Sequence, residues 1–197
     1  SGMRTRSAPD VDILQTKSSG SPVPNPRAVL ESVLKKMSQA RAVRTRMLTA
    51  LPSGERLLKI ESVKPDRVHI IAPDGEMIII GRKLYSTFGQ GTWQVTPLPA
   101  GGGSEAGAFD FQAFIREMMS KTGVSITGQI LGDETVDEVE AVAYEFTVTD
   151  GKETGVMQVS VGKQDGYMRR LFLLGDAISL KIWFSDINGD LSIEAPI

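Results

Sequence analysis

Apolar and polar residues alternate along most of the chain after the first forty residues. Two stretches show this most clearly, with apolar positions at Ile178, Leu180, Ile182 and Phe184, and at Val142, Tyr144, Phe146 and Val148. A period of two is typical of strands that bury one face. Turn sequences such as Pro73-Asp74-Gly75 and Asp165-Gly166 separate such stretches without intervening helices. The pattern predicts a mainly β (α+β) protein with an antiparallel sheet of about eleven strands.

Two segments change to the helical period. The first is predicted to begin after Asn25, with Pro26 in the first position, and to run to Ala40. The second is predicted to begin after the cap residue Asp110 and to end at Gly123. Each has a single apolar face, formed by Leu30, Val33, Leu34 and Met37 in the first helix and by Phe111, Phe114, Ile115, Met118 and Met119 in the second. Both helices are therefore available to cover one side of the sheet.

A sheet of this width is expected to curl, because strand twist accumulates from one strand to the next. Two helices do not easily fill the concave side to core density. Either side chains crowd that space or a cavity remains for an apolar guest. The Phe and Met residues of the second helix suit an adaptable binding surface, but the same stripe is also typical of plain core. The pattern leaves both interpretations open.

The first 25 residues have a different composition, rich in Ser, Gly and Pro and without apolar periodicity. We expect residues 1–25 to be a flexible tether and residues 26–197 to form a single domain. Ser1-Gly2 is typical of a tag remnant, so we expect a native leader to be missing from this sequence. No apolar run in the sequence approaches the roughly 20 residues that span a bilayer.

Composition limits the chemistry. The 197 residues include 22 Lys and Arg, 24 Asp and Glu, one His and no Cys. A net charge of −2 provides no field for a polyanion, so nucleic acid is not an expected partner. Without a thiolate or a pair of imidazoles, we expect no catalytic residues, no metal site and no cofactor. His69 has the opposite strand parity to its apolar neighbours and is predicted to be an outward, half-buried structural residue.

Basic residues concentrate where the first helix ends and the first long strand begins, at Lys35, Lys36, Arg41, Arg44 and Arg46. A basic rim beside an apolar cavity suits anionic head groups, either of a bound lipid or of a membrane surface. Such a run is also typical of an ordinary solvated face. The sequence alone leaves these alternatives open.

Several local strings resemble a known family. They are residues 77–85, which lead through a glycine turn to Trp93, and the C-terminal strings 182–188 and 193–196. Together with a helix before the strands and a second helix near mid-chain, they resemble the LolA/LolB-like superfamily, particularly its LppX/LprG lipoprotein branch. The resemblance extends over residues 26–197.

The resemblance implies an open half-barrel, a strongly curved sheet whose concave face is covered by both helices above a hydrophobic cavity. It also implies a periplasmic or outer-envelope protein, lipid-anchored in its native form through a cysteine upstream of the tether. The implied function is to hold a lipid or the acyl chain of a lipoprotein, without enzymatic activity. The same scaffold also implies an alternative, a periplasmic sensor or interaction domain of the RseB type that transfers no lipid.

We expect a monomer whose partner is a lipid or acyl chain, with a membrane surface or another envelope protein as further candidates. No motif of the family identifies ligand contacts in this chain, so apolar parity selects the expected cavity lining. The selected residues are Leu30, Leu34, Met37, Phe111, Phe114, Ile115, Met118, Met119, Tyr144, Phe146, Leu180, Ile182 and Phe184.

Overall fold

The computed structural model describes residues 20–51, 54–89, 91–99, 111–151, 153–174 and 179–196. Most of the predicted tether, the expected helix cap Asp110 and the strand position Ile178 lie outside the described residues. Ser21 and Pro22 lie within the predicted tether and pair with Ile130 and Gln129 at an edge of the sheet. The folded domain therefore includes residues before Pro26.

Twelve strands of the described chain form one antiparallel sheet in the order β1-β8-β9-β10-β11-β12-β2-β3-β4-β5-β6-β7. The sheet is open, with β1 at one edge and β7 at the other. Two meanders, β2 to β7 and β8 to β12, join where β12 pairs with β2. The strands are β1 Ser21–Pro22, β2 Ala42–Leu51, β3 Gly54–Val63, β4 Arg67–Ala72, β5 Gly75–Ile80, β6 Lys83–Phe88, β7 Gln94–Pro97, β8 Ser125–Val136, β9 Val139–Thr149, β10 Thr154–Gly162, β11 Met168–Leu174 and β12 Ser179–Ser185.

The helices are α1 (Pro26–Ser38) and α2 (Phe111–Ser120). As predicted, Asn25 caps α1 by accepting a hydrogen bond from the amide of Ala28, at 3.1 Å. The buried residues of α1 are those that the helical period selected, Leu30, Val33, Leu34 and Met37. In α2, Ile115 and Met119 are buried. The chain passes from β7 at one edge to β8 near the other, so α2 lies on a connection that crosses the sheet.

The curvature of the sheet follows from its core. Ile79 of β5 and Phe146 of β9 belong to one hydrophobic cluster that also includes residues of both helices. Seven strand spacings separate β5 from β9, a distance of roughly 34 Å in a flat sheet. Two helices, each about 10 Å across, would not cover that width. The sheet therefore bends around them, in agreement with the predicted curved sheet and its two covering helices.

Close packing inside this curve depends on Gly128 in β8. A Cβ atom there would lie 2.9 Å from a ring carbon of Phe146 and 3.3 Å from the side chain of Pro26. The absence of a side chain thus lets the Phe146 ring lie flat against β8 beneath the start of α1. Phe146 is completely buried.

The convex face carries a smaller cluster. Ile78 and Tyr85 pack against Ile193 of the C-terminal segment, and Arg67 donates a hydrogen bond to the carbonyl of Ile193 at 2.6 Å. On the same face, His69 is 20% exposed and lies 3.0 Å from the Glu76 carboxylate. The position of His69 thus agrees with the predicted outward or half-buried residue.

Candidate functional site

Between α2 and the concave face lies a cavity of about 460 Å³, which we call the apolar cavity. Its volume falls within the roughly 300–1,000 Å³ typical of ligand pockets. Of the described residues that line it, none is charged and Thr49 alone has a polar side chain. The lining residues are Met47, Thr49, Phe114, Met118, Val148, Gly155, Val156, Met157, Leu173, Leu174 and Leu180.

Gly155 of β10 explains part of this empty volume. A Cβ atom at Gly155 would have no heavy atom within 4 Å, apart from those of its chain neighbours. Its φ is not positive, so the backbone does not require glycine. The missing side chain at Gly155 leaves space that belongs to the apolar cavity, whereas the space at Gly128 is filled by Phe146.

A second cavity of about 490 Å³, the rim cavity, lies under the end of α1 and the turn between β3 and β4. It shares Met47 with the apolar cavity. Its interior is apolar and its outer part is basic. The lining residues are Met37, Ala40, Arg41, Ala42, Val43, Thr45, Met47, Ile60, Ser62, Val63, Lys64, Pro65, Arg67, Val68, Phe111, Gln112, Ile182 and Phe184.

The helix α2 contributes side chains to both spaces. Phe111 lines the rim cavity, where its ring lies 4.9 Å from that of Phe184. Phe114 and Met118 line the apolar cavity, and Phe114 stays 43% exposed at its edge. Ile115, on the same apolar face, is completely buried. The helix therefore presents aromatic and methionine side chains to both cavities while Ile115 anchors it to the core.

The structure divides the thirteen predicted lining residues into groups. Phe114, Met118 and Leu180 line the apolar cavity, and Met37, Phe111, Ile182 and Phe184 line the rim cavity. Leu34 and Met119 border a groove between the two helices. The other four belong to the packed core or its margin: Leu30, Ile115 and Phe146, which are completely buried, and Tyr144, which is half-buried and stacks on Phe146.

Sequence reasoning missed the contribution of β2 and β10. Met47 lines both cavities and Met157 lines the apolar cavity. A signal for Met47 was present, since Arg44 and Arg46 alternate with Thr45 and Met47 and direct the methionine inward. No comparable signal identified Gly155, because a glycine in a strand is equally consistent with a bulge or a close approach.

The groove between the helices is more polar than the two cavities, and a hydrogen bond links its walls. Arg27 of α1 donates to the carbonyl of Met119, near the end of α2, at 2.6 Å. Helix ends leave carbonyls without intrahelical partners, and a cationic side chain satisfies one of them here. This contact fixes the position of α2 relative to α1.

The described residues contain no group of three His, Cys, Asp or Glu placed to hold a metal ion. No helix in this part of the chain is long and apolar enough to cross a membrane. Asn188 lies in a turn after β12, where its side chain accepts a hydrogen bond from the Arg41 amide at 2.7 Å.

No family model and no curated protein matches the sequence. The structure is similar to LprF from Mycobacterium bovis, with a TM-score of 0.61 and 13% identity over 90% of this chain and 99% of LprF. It is also similar to the Mycobacterium tuberculosis lipoprotein LppX, with a TM-score of 0.58 and 12% identity over 85% of this chain and 97% of LppX. The chain has the LppX/LprF fold. The predicted LppX-type fold is thus confirmed.

This LppX/LprF fold also extends to MucB. The TM-score is 0.52 at 12% identity, over 87% of this chain and 61% of MucB. At such identities the likeness concerns architecture, because one fold supports several functions.

Proposed function

We propose that this protein is a non-enzymatic carrier that holds a lipid acyl chain, free or attached to a lipoprotein, in the apolar cavity. The observation that carries the proposal is the cavity itself, about 460 Å³ of space with a lining that is apolar except for Thr49. Ligand pockets are concave, mostly apolar spaces of roughly 300–1,000 Å³. A space with this volume and lining is therefore better explained by an apolar guest than by core packing.

The apolar chemistry of the lining also suits an acyl chain. An apolar cavity stays dry and takes apolar guests, and each methylene group removed from water contributes about 0.8 kcal/mol. The methionines Met47, Met118 and Met157 are unbranched and adapt to chains of different shape. Binding therefore needs no polar anchor inside this cavity.

The proposed setting is the periplasm or outer envelope, with the native protein anchored by a lipid on a cysteine upstream of the tether. Its support is the shared fold with LppX, which is described as a lipoprotein. The alternative remains a sensor or interaction domain whose concave face is ordinary core and whose partner is another envelope protein.

The proposal is tested by titrating delipidated protein with a fluorescent fatty acid and displacing it with unlabelled fatty acids of decreasing length. We expect saturable binding, with palmitate a better competitor than myristate. Two fewer methylene groups remove about 1.6 kcal/mol, so myristate should bind roughly 15-fold more weakly. Absence of saturable binding would favour the interaction domain over the carrier.

A further inference from the structure

The rim cavity differs from the apolar cavity in charge. Arg41, Lys64 and Arg67 line it, and none of its lining residues is a carboxylate. All three belong to the solvent-exposed class, so the charge lies at the mouth rather than in the interior. The interior is formed by residues such as Met47 and Phe184. The rim cavity thus combines an apolar depth with a cationic mouth.

These cations have only neutral partners. Arg41 donates to the carbonyl of Asn188 at 3.3 Å, Lys64 donates to the carbonyl of Ser38, and Arg67 donates to a carbonyl of the C-terminal segment. Within the described ranges, none of the three lies within 4.0 Å of a carboxylate, the distance that defines the ion pairs of this chain. No carboxylate in the described part of the chain therefore neutralises their positive charge.

Arg44 differs from the cations of the mouth. It lies in β2, three residues after Arg41 and on the convex face, and it pairs with Glu61 at 2.8 Å and with Asp186. Of the basic run in the sequence, Arg44 is thus neutralised, while Arg41 stays available to an anion.

Arg41 and Lys64 are held next to each other at the mouth. The amide of Lys64 donates to the carbonyl of Arg41 at 2.8 Å, so the two side chains start from neighbouring backbone positions. The carbonyl end of a helix carries partial negative charge, which disfavours an anion. Because Lys64 donates to Ser38 at the end of α1, it offsets that charge at the mouth.

We propose that the mouth of the rim cavity binds the anionic head group of an acyl lipid, a carboxylate or phosphate held by Arg41 and Lys64. The acyl chain then runs through the rim cavity and past Met47, which lines both cavities, into the apolar cavity. This inference rests on the proposed function and adds the ligand class to it. Charge-assisted hydrogen bonds from Lys and Arg to carboxylate or phosphate oxygens supply the preference.

The test compares lipids with the same chain and different heads. Palmitoyl-lysophosphatidic acid and monopalmitoylglycerol, which differ only in the phosphate, form one pair, and palmitate and hexadecanol form the other. Each competitor displaces a fluorescent fatty acid from delipidated protein. We expect the anionic member of each pair to displace the probe at a concentration about threefold to tenfold lower than the uncharged member. This is the gain in affinity that two solvent-exposed cations can supply. The pair with the larger ratio distinguishes phosphate from carboxylate as the preferred head.

In the double variant Arg41→Gln/Lys64→Gln, only the anionic competitors should bind more weakly. The ratio of the displacing concentrations of the uncharged and anionic members should therefore fall to about one in both pairs. The control is Lys59→Gln, which removes an exposed cation from the opposite face of β3 and should leave the ratios unchanged. Thermal unfolding of each variant checks that it folds. In the wild type, raising NaCl from 50 to 300 mM should reduce the ratios without any substitution.

Ratios near one in the wild type, ratios that persist in the double variant, or ratios that fall equally in Lys59→Gln would overturn this inference and leave the carrier function standing. If no member of either pair displaces the probe and the probe itself does not bind, the carrier function fails as well.

Discussion

Replacing Gly155 by leucine should fill the apolar cavity from within. Gly155 lies in β10 with no positive φ and with open space where a Cβ atom would stand. The new side chain would extend toward the space lined by Met118 and Leu180. The substitution therefore adds four carbon atoms to the ligand site and meets no backbone obstacle.

Four carbons of leucine occupy room that would otherwise hold about four methylene groups of an acyl chain. At about 0.8 kcal/mol each, their exclusion weakens binding by about 3 kcal/mol, roughly 200-fold in Kd. The free protein should gain stability, because glycine in a strand costs roughly 0.5–1 kcal/mol and the leucine buries apolar surface. A gain of about 1 kcal/mol raises the Tm of a domain of this size by about 2–4 °C.

The assay is a fatty-acid titration together with thermal unfolding, both on delipidated protein. Thr147→Leu is the matched control, because residue 147 lies on the neighbouring strand β9 and on the opposite face of the sheet. We expect Thr147→Leu to bind like the wild type. If the concave face were ordinary packed core, Gly155→Leu would instead overpack it and lose roughly 1–3 kcal/mol. A lowered Tm, or unchanged binding, would refute the reasoning.

Four further substitutions test the cavity, the core, the contact between the helices and one ion pair. Phe114→Ala removes a ring that is 43% exposed at the apolar cavity, so it should weaken acyl-chain binding at a stability cost of only about 1 kcal/mol. Ile115 is the next residue and is completely buried, so Ile115→Ala should lower the free energy of unfolding by about 2–5 kcal/mol in denaturant unfolding. Equal losses of stability in the two variants would contradict the assignment of Phe114 to the cavity and Ile115 to the core. Arg27→Gln should lower stability by about 1 kcal/mol and speed amide exchange in α2, because Arg27 joins the two helices. Asp133→Asn removes the hydrogen bond that raises the pKa of Lys163 above its ordinary 10.5. The stability that this hydrogen bond contributes is present at neutral pH and is lost as the pH rises through the raised pKa of Lys163. The difference in Tm between the variant and the wild type should therefore vanish in strong alkali.

The architecture was largely predictable because its signals are local. Strand alternation identified the buried face of β12, where Leu180, Ile182 and Phe184 are all 9% exposed or less. The helical period identified every buried residue of α1. Two features were not local. The pairing of β1 depends on a contact between Ser21 and Ile130, more than a hundred residues away, and nothing in the composition of the N-terminal segment indicates it.

The candidate site was predictable only in part. Apolar parity shows which face a residue is on, but it does not distinguish a residue that closes the core from one that borders empty space. Phe146 and Leu180 therefore have the same signal in sequence, although the structure packs the first against Gly128 and places the second at the apolar cavity. A cavity forms where a side chain is absent, as at Gly155, whereas apolar parity reports only on the side chains that are present.

Native mass spectrometry of the chain, expressed in bacteria and purified without detergent, tests the central claim most directly. The carrier account predicts a population whose mass exceeds that of the chain by one lipid, and solvent extraction should release a molecule with a long acyl chain. The Gly155→Leu variant should lose this population, and Thr147→Leu should keep it. A single apo mass for the wild type that persists after incubation with palmitate would contradict the account.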